Sequence, residues 1–172
     1  MTKYFVCSDL HLNHENIIDY CNRPFNNVQE MNEVLIANWN NTVRSEDTVF
    51  LLGDFCLASK EKVIELGNRL NGKKILITGN HDRGSKTTYK EAGFESIFKE
   101  EVILDLGEKG TIIFSHHPKP SPHYINIHGH THSVNKFDAN NKNNICVSVE
   151  AIDYTPIDLD ILLEQHKSFI EQ

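Results

Sequence analysis

With 172 residues, 39% of them hydrophobic, the chain has enough material for one substantial core and too little for two independent ones. Its formal net charge of −7 argues against a body built to grip nucleic acid, so no strong nucleic-acid-binding surface is expected. No apolar run approaches the roughly eighteen residues of a membrane span, and no basic stretch followed by an apolar one opens the chain. The four cysteines (Cys7, Cys21, Cys56 and Cys146) are scattered without a C-x-x-C pair, the usage of reduced thiols in the cytoplasm. One cytoplasmic domain over residues 1–172, away from the membrane, is expected.

The segment 3–8, "KYFVCS", reads as a strand. A helix is expected over 28–43, with Val28, Met31, Leu35, Trp39 and Val43 on one stripe and Asn27 as N-cap. "DTVFLLG" (47–53) is a second strand, and 59–70 a second helix capped by Ser59, burying Val63, Leu66 and Leu70. "KKILITG" (73–79) is a third strand, with a short helix after it near 87–92. "SIFKEEVILDL" and "GTIIFSH" flank Gly107-Glu108-Lys109-Gly110 and read as a hairpin. "YINIHG" and "NICVSVE" supply two more strands, separated by an Asn-rich loop over 138–144. Thr155-Pro156-Ile157-Asp158 reads as a capping box with Pro at the first helical position, opening a helix to about 169. The order βαβαβ and then a strand-rich half predicts an α/β fold of one or two sheets covered by helices.

The informative regularity lies at the strand ends. The first strand runs into Asp9-Leu10-His11, the second into Gly53-Asp54 and the third into Gly79-Asn80-His81-Asp82. "TIIF" ends at Ser115-His116-His117, and "INI" leads into His128-Gly129-His130-Thr131-His132. Sites in α/β sheets form beyond the carboxyl ends of strands, where glycine permits tight turns. In an extended chain His128, His130 and His132 would share one face about 6.6 Å apart. One ion, with metal–nitrogen bonds of about 2.0–2.1 Å, could not collect all three. Asp9, His11, Asp54, Asn80, His116, His130 and His132 make seven oxygen and nitrogen donors, too many for one ion and suited to two if one carboxylate bridges. With no thiolate among them, the set favours Mn, Fe, Zn, Ni or Co over a structural zinc.

The series D-x-H, G-D, G-N-H-D, H and G-H-x-H is carried in order by Asp9–His11, Gly53–Asp54, Gly79–Asp82, His116 and Gly129–His132. It resembles the calcineurin-like metallophosphoesterase superfamily; each motif alone is weak, but five in order are specific. The resemblance implies a four-layer α/β sandwich of two mixed β-sheets flanked by helices, with a dinuclear site at its rim. It implies one ion on Asp9, His11, Asp54 and His132, and another on Asp54, Asn80, His116 and His130, with Asp54 bridging. The implied cofactors are two divalent transition-metal ions, manganese first, with Fe, Zn, Ni or Co as alternatives. The implied reaction is hydrolysis of a phosphodiester or phosphomonoester by a metal-bridging hydroxide, with His81 as general acid for the leaving alkoxide. Asp82 is expected to hydrogen-bond the His81 imidazole, orienting it and raising its pKa.

Other residues carry competing readings. The pattern of the resembled family, a small residue, then His, then x-Pro, implies ligation by His116, leaving His117 as pocket wall or a candidate substrate contact. His128 is expected behind the ligands as a buried, hydrogen-bonded imidazole. His14 and Arg23, in "HENII" and "NRPF", are candidate substrate contacts, Arg23 being suited to a bidentate phosphate contact, against solvated or structural roles for both. His123 and Lys119 are candidates for the cleft rim. The chain continues Gly53-Asp54 with Phe55-Cys56-Leu57, unlike protein serine/threonine phosphatases, so a small-molecule, nucleotide or nucleic-acid-end phosphoester is expected. A pyrophosphohydrolase or nuclease would use the same metal core. A non-catalytic scaffold and a metal buffer or sensor are the remaining alternatives; the complete donor set with His81 speaks against the first, and Asn80-His81-Asp82 against the second. The oligomeric state leaves no signal in the sequence.

Overall fold

The computed structural model describes residues 2–171 except 106, 108 and 109. In chain order its elements are β1 (Tyr4–Cys7), α1 (Asn16–Tyr20), α2 (Val28–Thr42), β2 (Thr48–Leu51), α3 (Lys60–Asn68), β3 (Lys73–Ile77) and α4 (Lys86–Glu91). They continue with β4 (Phe94–Phe98), β5 (Glu101–Asp105), β6 (Thr111–Ser115), β7 (Ile125–His128), β8 (Asn144–Cys146), β9 (Ile157–Asp158) and α5 (Leu159–Ile170). A 3-10 turn over Val149–Ala151 comes after β8. One sheet has the order β4-β3-β2-β1-β9, parallel except for β9; the other has the order β5-β6-β7-β8, parallel except for β5. The architecture is therefore two mixed sheets flanked by helices.

The central strands explain their own composition. Val49, Phe50, Leu51 and Leu52 are all buried, as strands covered on both faces require. Phe50 stacks on Phe114 of β6 with ring centroids 4.7 Å apart, which fixes where the two sheets face each other. α2 buries Val28, Met31, Leu35, Ile36 and Trp39, and the Asn27 side chain accepts the Glu30 N–H at 2.8 Å to cap it. The buried Trp39 indole donates to the Asn71 carbonyl at 2.9 Å, so its one polar atom is satisfied. Ser59 caps α3 through the Lys62 N–H. The sheets are stitched together beyond β1 and β8 by a parallel bridge between Ser8 and Ser148. No described helix is long and apolar enough to cross a membrane.

Two local expectations are corrected. "SIFKEEVILDL" is not one strand: β4 pairs with β3 in the first sheet, and β5 pairs with β6 in the second. Lys99-Glu100 carries the chain from sheet to sheet, a step decided by long-range pairing. The β5–β6 pair is the expected hairpin, and Gly110 N–H donates to Gly107 O at 3.0 Å; Glu108 and Lys109 of its turn lie outside the described residues. Ile157–Asp158 pairs with β1 as an edge strand rather than opening the last helix. The cap of α5 is Asp158, whose side chain accepts the Asp160 N–H, and not Thr155. The five-residue α1 has no side-chain cap bond and no counterpart among the predicted elements.

Candidate metal centre

The ladder between β1 and β2 continues past both strands. Asp9 N–H donates to Gly53 O at 3.0 Å, His11 N–H to Asp54 O at 2.9 Å, and Leu12 N–H to Phe55 O at 3.0 Å. These bonds hold Asp9, His11 and Asp54 side by side at the carboxyl edge of the first sheet. Five of the seven predicted donors have left-handed backbone: Asp9 (φ 60°), His11 (48°), Asp54 (54°), His130 (67°) and His132 (48°). Such non-glycine positions cost about 1–3 kcal/mol each and persist only where the surroundings fix them, commonly at functional sites. They also correct one geometric expectation. β7 ends at His128, so the histidine triplet is not an extended strand beyond that point.

The structure brings all seven residues together in two overlapping groups. In one, His11 Nε2 lies 3.9 Å from Asp9 Oδ1 and 3.4 Å from Asp54 Oδ2, and His132 Nε2 lies 3.8 Å from Asp9 Oδ1. In the other, His116 Nε2 lies 2.9 Å from Asn80 Oδ1, 3.2 Å from His130 Nδ1 and 3.5 Å from Asp54 Oδ2. His130 Nδ1 completes it at 3.1 Å from Asn80 Oδ1. Donors bound to one ion at about 2.1 Å stand about 3.0–3.4 Å apart in octahedral or tetrahedral arrangement. The second group's separations match to within 0.1 Å, as does that of His11 from Asp54; the two from Asp9 Oδ1, 3.8 and 3.9 Å, are wider. Asp54 Oδ2 belongs to both groups.

The donor set fits cations on independent grounds. Asp9 Oδ1 and His11 Nε2 are buried and have no hydrogen-bond partner, an arrangement native proteins avoid unless another group satisfies it. The imidazoles are also oriented. His116 Nδ1 donates to the Leu52 carbonyl at 2.8 Å, which leaves Nε2 as the lone-pair atom facing the cluster. His132 Nδ1 donates to Glu150 Oε1 at 3.1 Å, and the Nδ1 atoms of His11 and His14 share a bond at 3.2 Å. Gly129 lets the last segment cross Asp9: a Cβ there would fall 1.9 Å from Ser8 Oγ and 2.4 Å from Asp9 Oδ2. The free Asp9 oxygen is thereby aimed, because Oδ2 accepts His130 N–H at 2.9 Å and Ser148 Oγ–H at 2.8 Å.

Charge in the cluster is set by competition between burial and partners. Burial opposes ionisation of Asp54, but His11, the His81 N–H and His116 overcome it and pull the carboxyl down to about 2. Burial and repulsion from His117 and His116 push His130 below the ordinary imidazole range. Burial likewise acts against protonated His132, yet Glu150 and Asp9 carry it above that range.

Several candidates have different surroundings from those expected. Asp82 does not meet the His81 ring. Its Oδ2 accepts the N–H groups of Asp54 and Gly79, and its Oδ1 that of Phe55, so it clamps the ends of β2 and β3 together. Arg23 is no substrate contact: its side chain is fully buried, with Nε and Nη2 on Glu150 Oε1 at 2.9 and 2.8 Å. The rest of the guanidinium donates to the carbonyls of Leu10 and Asp9, so no N–H fork is left for phosphate. His81 is half-buried, its N–H held by Asp54 Oδ1 at 2.8 Å and its ring 5.2 Å from that of His11. His14 lies 5.8 Å from His81, ring to ring, at the mouth of the cluster. His117 is exposed and packs on His130 at 4.1 Å. His128 is buried, bonded to Gly129 O, and outside the converging set. Lys119 pairs with Glu101, and His123 is exposed.

Glu150 is the residue sequence reading missed. It joins Arg23 to His132, and although burial opposes its charge, His132 and Arg23 hold it at about 2. The carboxylate at the end of the seventh strand-like run, "NICVSVE", was the available signal.

A family model of calcineurin-like phosphoesterases matches residues 2–168. Uncharacterized protein MJ1445 of Methanocaldococcus jannaschii is 40% identical over 172 aligned residues, covering 95% of this chain and 91% of its own length. The Gene 66 protein of Mycobacterium phage L5 is 29% identical, with 77% and 79% covered. Among solved structures, the protein of unknown function AQ665 from Aquifex aeolicus superposes with a TM-score of 0.75 at 25% identity, over 96% of this chain and 100% of that one. Pseudomonas putida nuclease MPE shares the fold at a TM-score of 0.50 and 21% identity, over 74% of this chain and 60% of that one. A family match of such length shows the family: the chain is a member of the calcineurin-like phosphoesterases, a metallophosphoesterase that hydrolyses phosphoric esters.

Proposed function

We propose that the protein hydrolyses small-molecule or nucleotide phosphoesters at a two-ion centre, with His81 as general acid. The observation that carries this reading is the single oxygen Asp54 Oδ2, 3.4 Å from His11 Nε2 and 3.5 Å from His116 Nε2. One carboxylate placed between two donor groups suits a bridging role. Asp9, His11, Asp54 and His132 would hold one ion, and Asp54, Asn80, His116 and His130 the other. Mixed oxygen and nitrogen donors without thiolate favour manganese, with Fe, Zn, Ni and Co as competitors. Bound there, two such ions would supply a water acidic enough to ionise near neutral pH and would offset charge on the phosphoryl oxygens.

The chain's own residues do the rest. Asp54 Oδ1 holds the His81 backbone and so sets where the imidazole stands relative to the cluster. From that position the His81 ring delivers a proton to the departing oxygen, a contribution of roughly 10²–10⁴-fold for a well-placed acid. His14 beside it narrows the mouth. Burial first, and then the neighbouring His11 and His81, keep His14 below the ordinary imidazole range.

The test is hydrolysis of bis-p-nitrophenyl phosphate and p-nitrophenyl phosphate by metal-stripped protein given Mn, Ni, Co, Zn or Mg in turn. Turnover that requires added metal and stops with chelator is the expected result. No turnover of either ester with any metal would overturn the proposal.

A further inference from the structure

A cavity of about 350 Å³ adjoins His81, between the segments that follow β2 and β3. The His81 ring lies 5.2 Å from that of His11 and also lines this cavity, so it stands where the donor cluster and the cavity meet. Leu57, Val63 and the ring of Tyr89 give the cavity apolar walls, while Lys60 and Arg83 bring two cations to it. Among the described residues no carboxylate lines it. In a chain of net charge −7 that is a local excess of positive charge.

Both cations are open to a ligand. Arg83 is exposed and takes part in none of the ion pairs among the described residues. Lys60 pairs with Glu91 at 3.0 Å, but the two side chains are 52% and 45% exposed, so this is a solvated pair that a stronger anion displaces. The charge extends beyond the cavity. Residues 60–99, which supply α3, β3, α4 and β4, hold nine of the chain's 17 lysines and arginines but only five of its 24 aspartates and glutamates. The His81 side of the site is therefore positive and the rest of the chain strongly negative, a field that draws anionic groups to this side.

We propose that this cavity receives the leaving alcohol of the substrate, and that this alcohol carries a phosphate of its own, bound by Arg83 with Lys60. The inference rests on His81 being the proton donor of the reading above. In an in-line displacement the departing oxygen points away from the attacking water, and a proton donor beside that oxygen has the rest of the alcohol next to it. The cavity that His81 lines is the space available there. Arg83 offers the free planar fork that the enclosed Arg23 does not, and the Lys60 ammonium adds a second charge. The apolar walls suit the carbon skeleton between the two phosphates, and the volume suits an alcohol about the size of one nucleotide.

Phosphorus NMR of thymidine 5′-monophosphate with the metal-stripped full chain tests the site with no ion competing for the phosphate. Saturable broadening of the nucleotide line is expected with the wild type and not with Arg83→Ala. Turnover by the metal-loaded protein then tests the assignment to the leaving group. Thymidylyl-thymidine is compared with the same dinucleotide phosphorylated at its 5′ or its 3′ end. Only one of these isomers puts the added phosphate on the alcohol that leaves, and the products identify which. That isomer should exceed the unphosphorylated dinucleotide in kcat/KM by about 10–100-fold, the range of a hydrogen bond to a charged group, with the gain in KM rather than kcat. Arg83→Ala should erase the preference, and Arg83→Lys should keep part of it. Absence of nucleotide binding, an equal gain from both isomers, or a preference that survives Arg83→Ala would overturn the proposal. Binding through Arg83 without hydrolysis of any dinucleotide or of bis-p-nitrophenyl phosphate would instead overturn the proposed function, and the leaving-group assignment with it.

Discussion

Replacing Asp82 by asparagine tests whether this residue clamps the floor of the site or tunes His81. Asp82 Oδ2 accepts the N–H groups of Asp54 and Gly79 at 2.7 and 2.8 Å, and Oδ1 accepts that of Phe55 at 3.0 Å. Asparagine keeps one acceptor oxygen. If that oxygen serves the pair at Oδ2, the amide nitrogen turns to Phe55 and leaves its N–H unpaired. The orphan costs about 1–3 kcal/mol, and the two surviving bonds lose charge assistance worth about 1 kcal/mol each. Burial pushes the Asp82 carboxyl up in spite of its donors, so neutralising it returns part of that loss. A net destabilisation of about 3 kcal/mol corresponds to about 6–12 °C in Tm for a domain of this size. Thermal unfolding of Asp82→Asn should show that drop. The pH–rate profile of the metal-loaded variant should keep its basic limb where the wild type has it. A Tm within about 2 °C of wild type together with a basic limb moved to lower pH would refute the clamp and return Asp82 to the His81 ring.

Three further outcomes rest on the same geometry. His81→Asn should lower kcat by about 10²–10⁴-fold while calorimetry still finds the metal content of the wild type; loss of metal would make His81 a ligand instead. Glu150→Gln should weaken one of the two metal-binding steps by about 10–100-fold, because Glu150 orients His132, and equal affinities in a metal titration would contradict that role. Burial, with the charge of Asp82 adding to it, pushes the Cys56 thiol up to about 12 from its ordinary 9.0. A raised thiol pKa leaves stability intact below pH 9 and erodes it as pH rises from 9 towards 12. Urea unfolding from pH 8 to 11 should therefore show a decline that Cys56→Ala reduces, and identical slopes would argue against it.

The donor cluster was legible because each residue is tied to the end of a strand that its own apolar run announces. Asp9 after "KYFVCS" and Asp54 after "DTVFLLG" need only their strands to be adjacent and parallel to meet. Residues whose role depends on a distant partner were not legible in that way. Asp82 stands one position from His81 in the chain, yet its carboxylate turns away to the N–H groups at the end of β2. Arg23 reads as a phosphate fork until the fold encloses it against Glu150, 127 positions away. The break at Lys99-Glu100 and the strand at Ile157–Asp158 are likewise fixed by which neighbour each segment pairs with. Local propensity carries no record of that choice.

The central claim is that Asp54 sits between two ions. Equilibrium dialysis of metal-stripped protein against manganese, with bound metal counted per chain, tests it most directly. Two ions per wild-type chain are predicted, with binding of both weakened in Asp54→Ala because Oδ2 faces both donor groups. A single ion per wild-type chain, or two ions held undiminished by Asp54→Ala, would contradict the account.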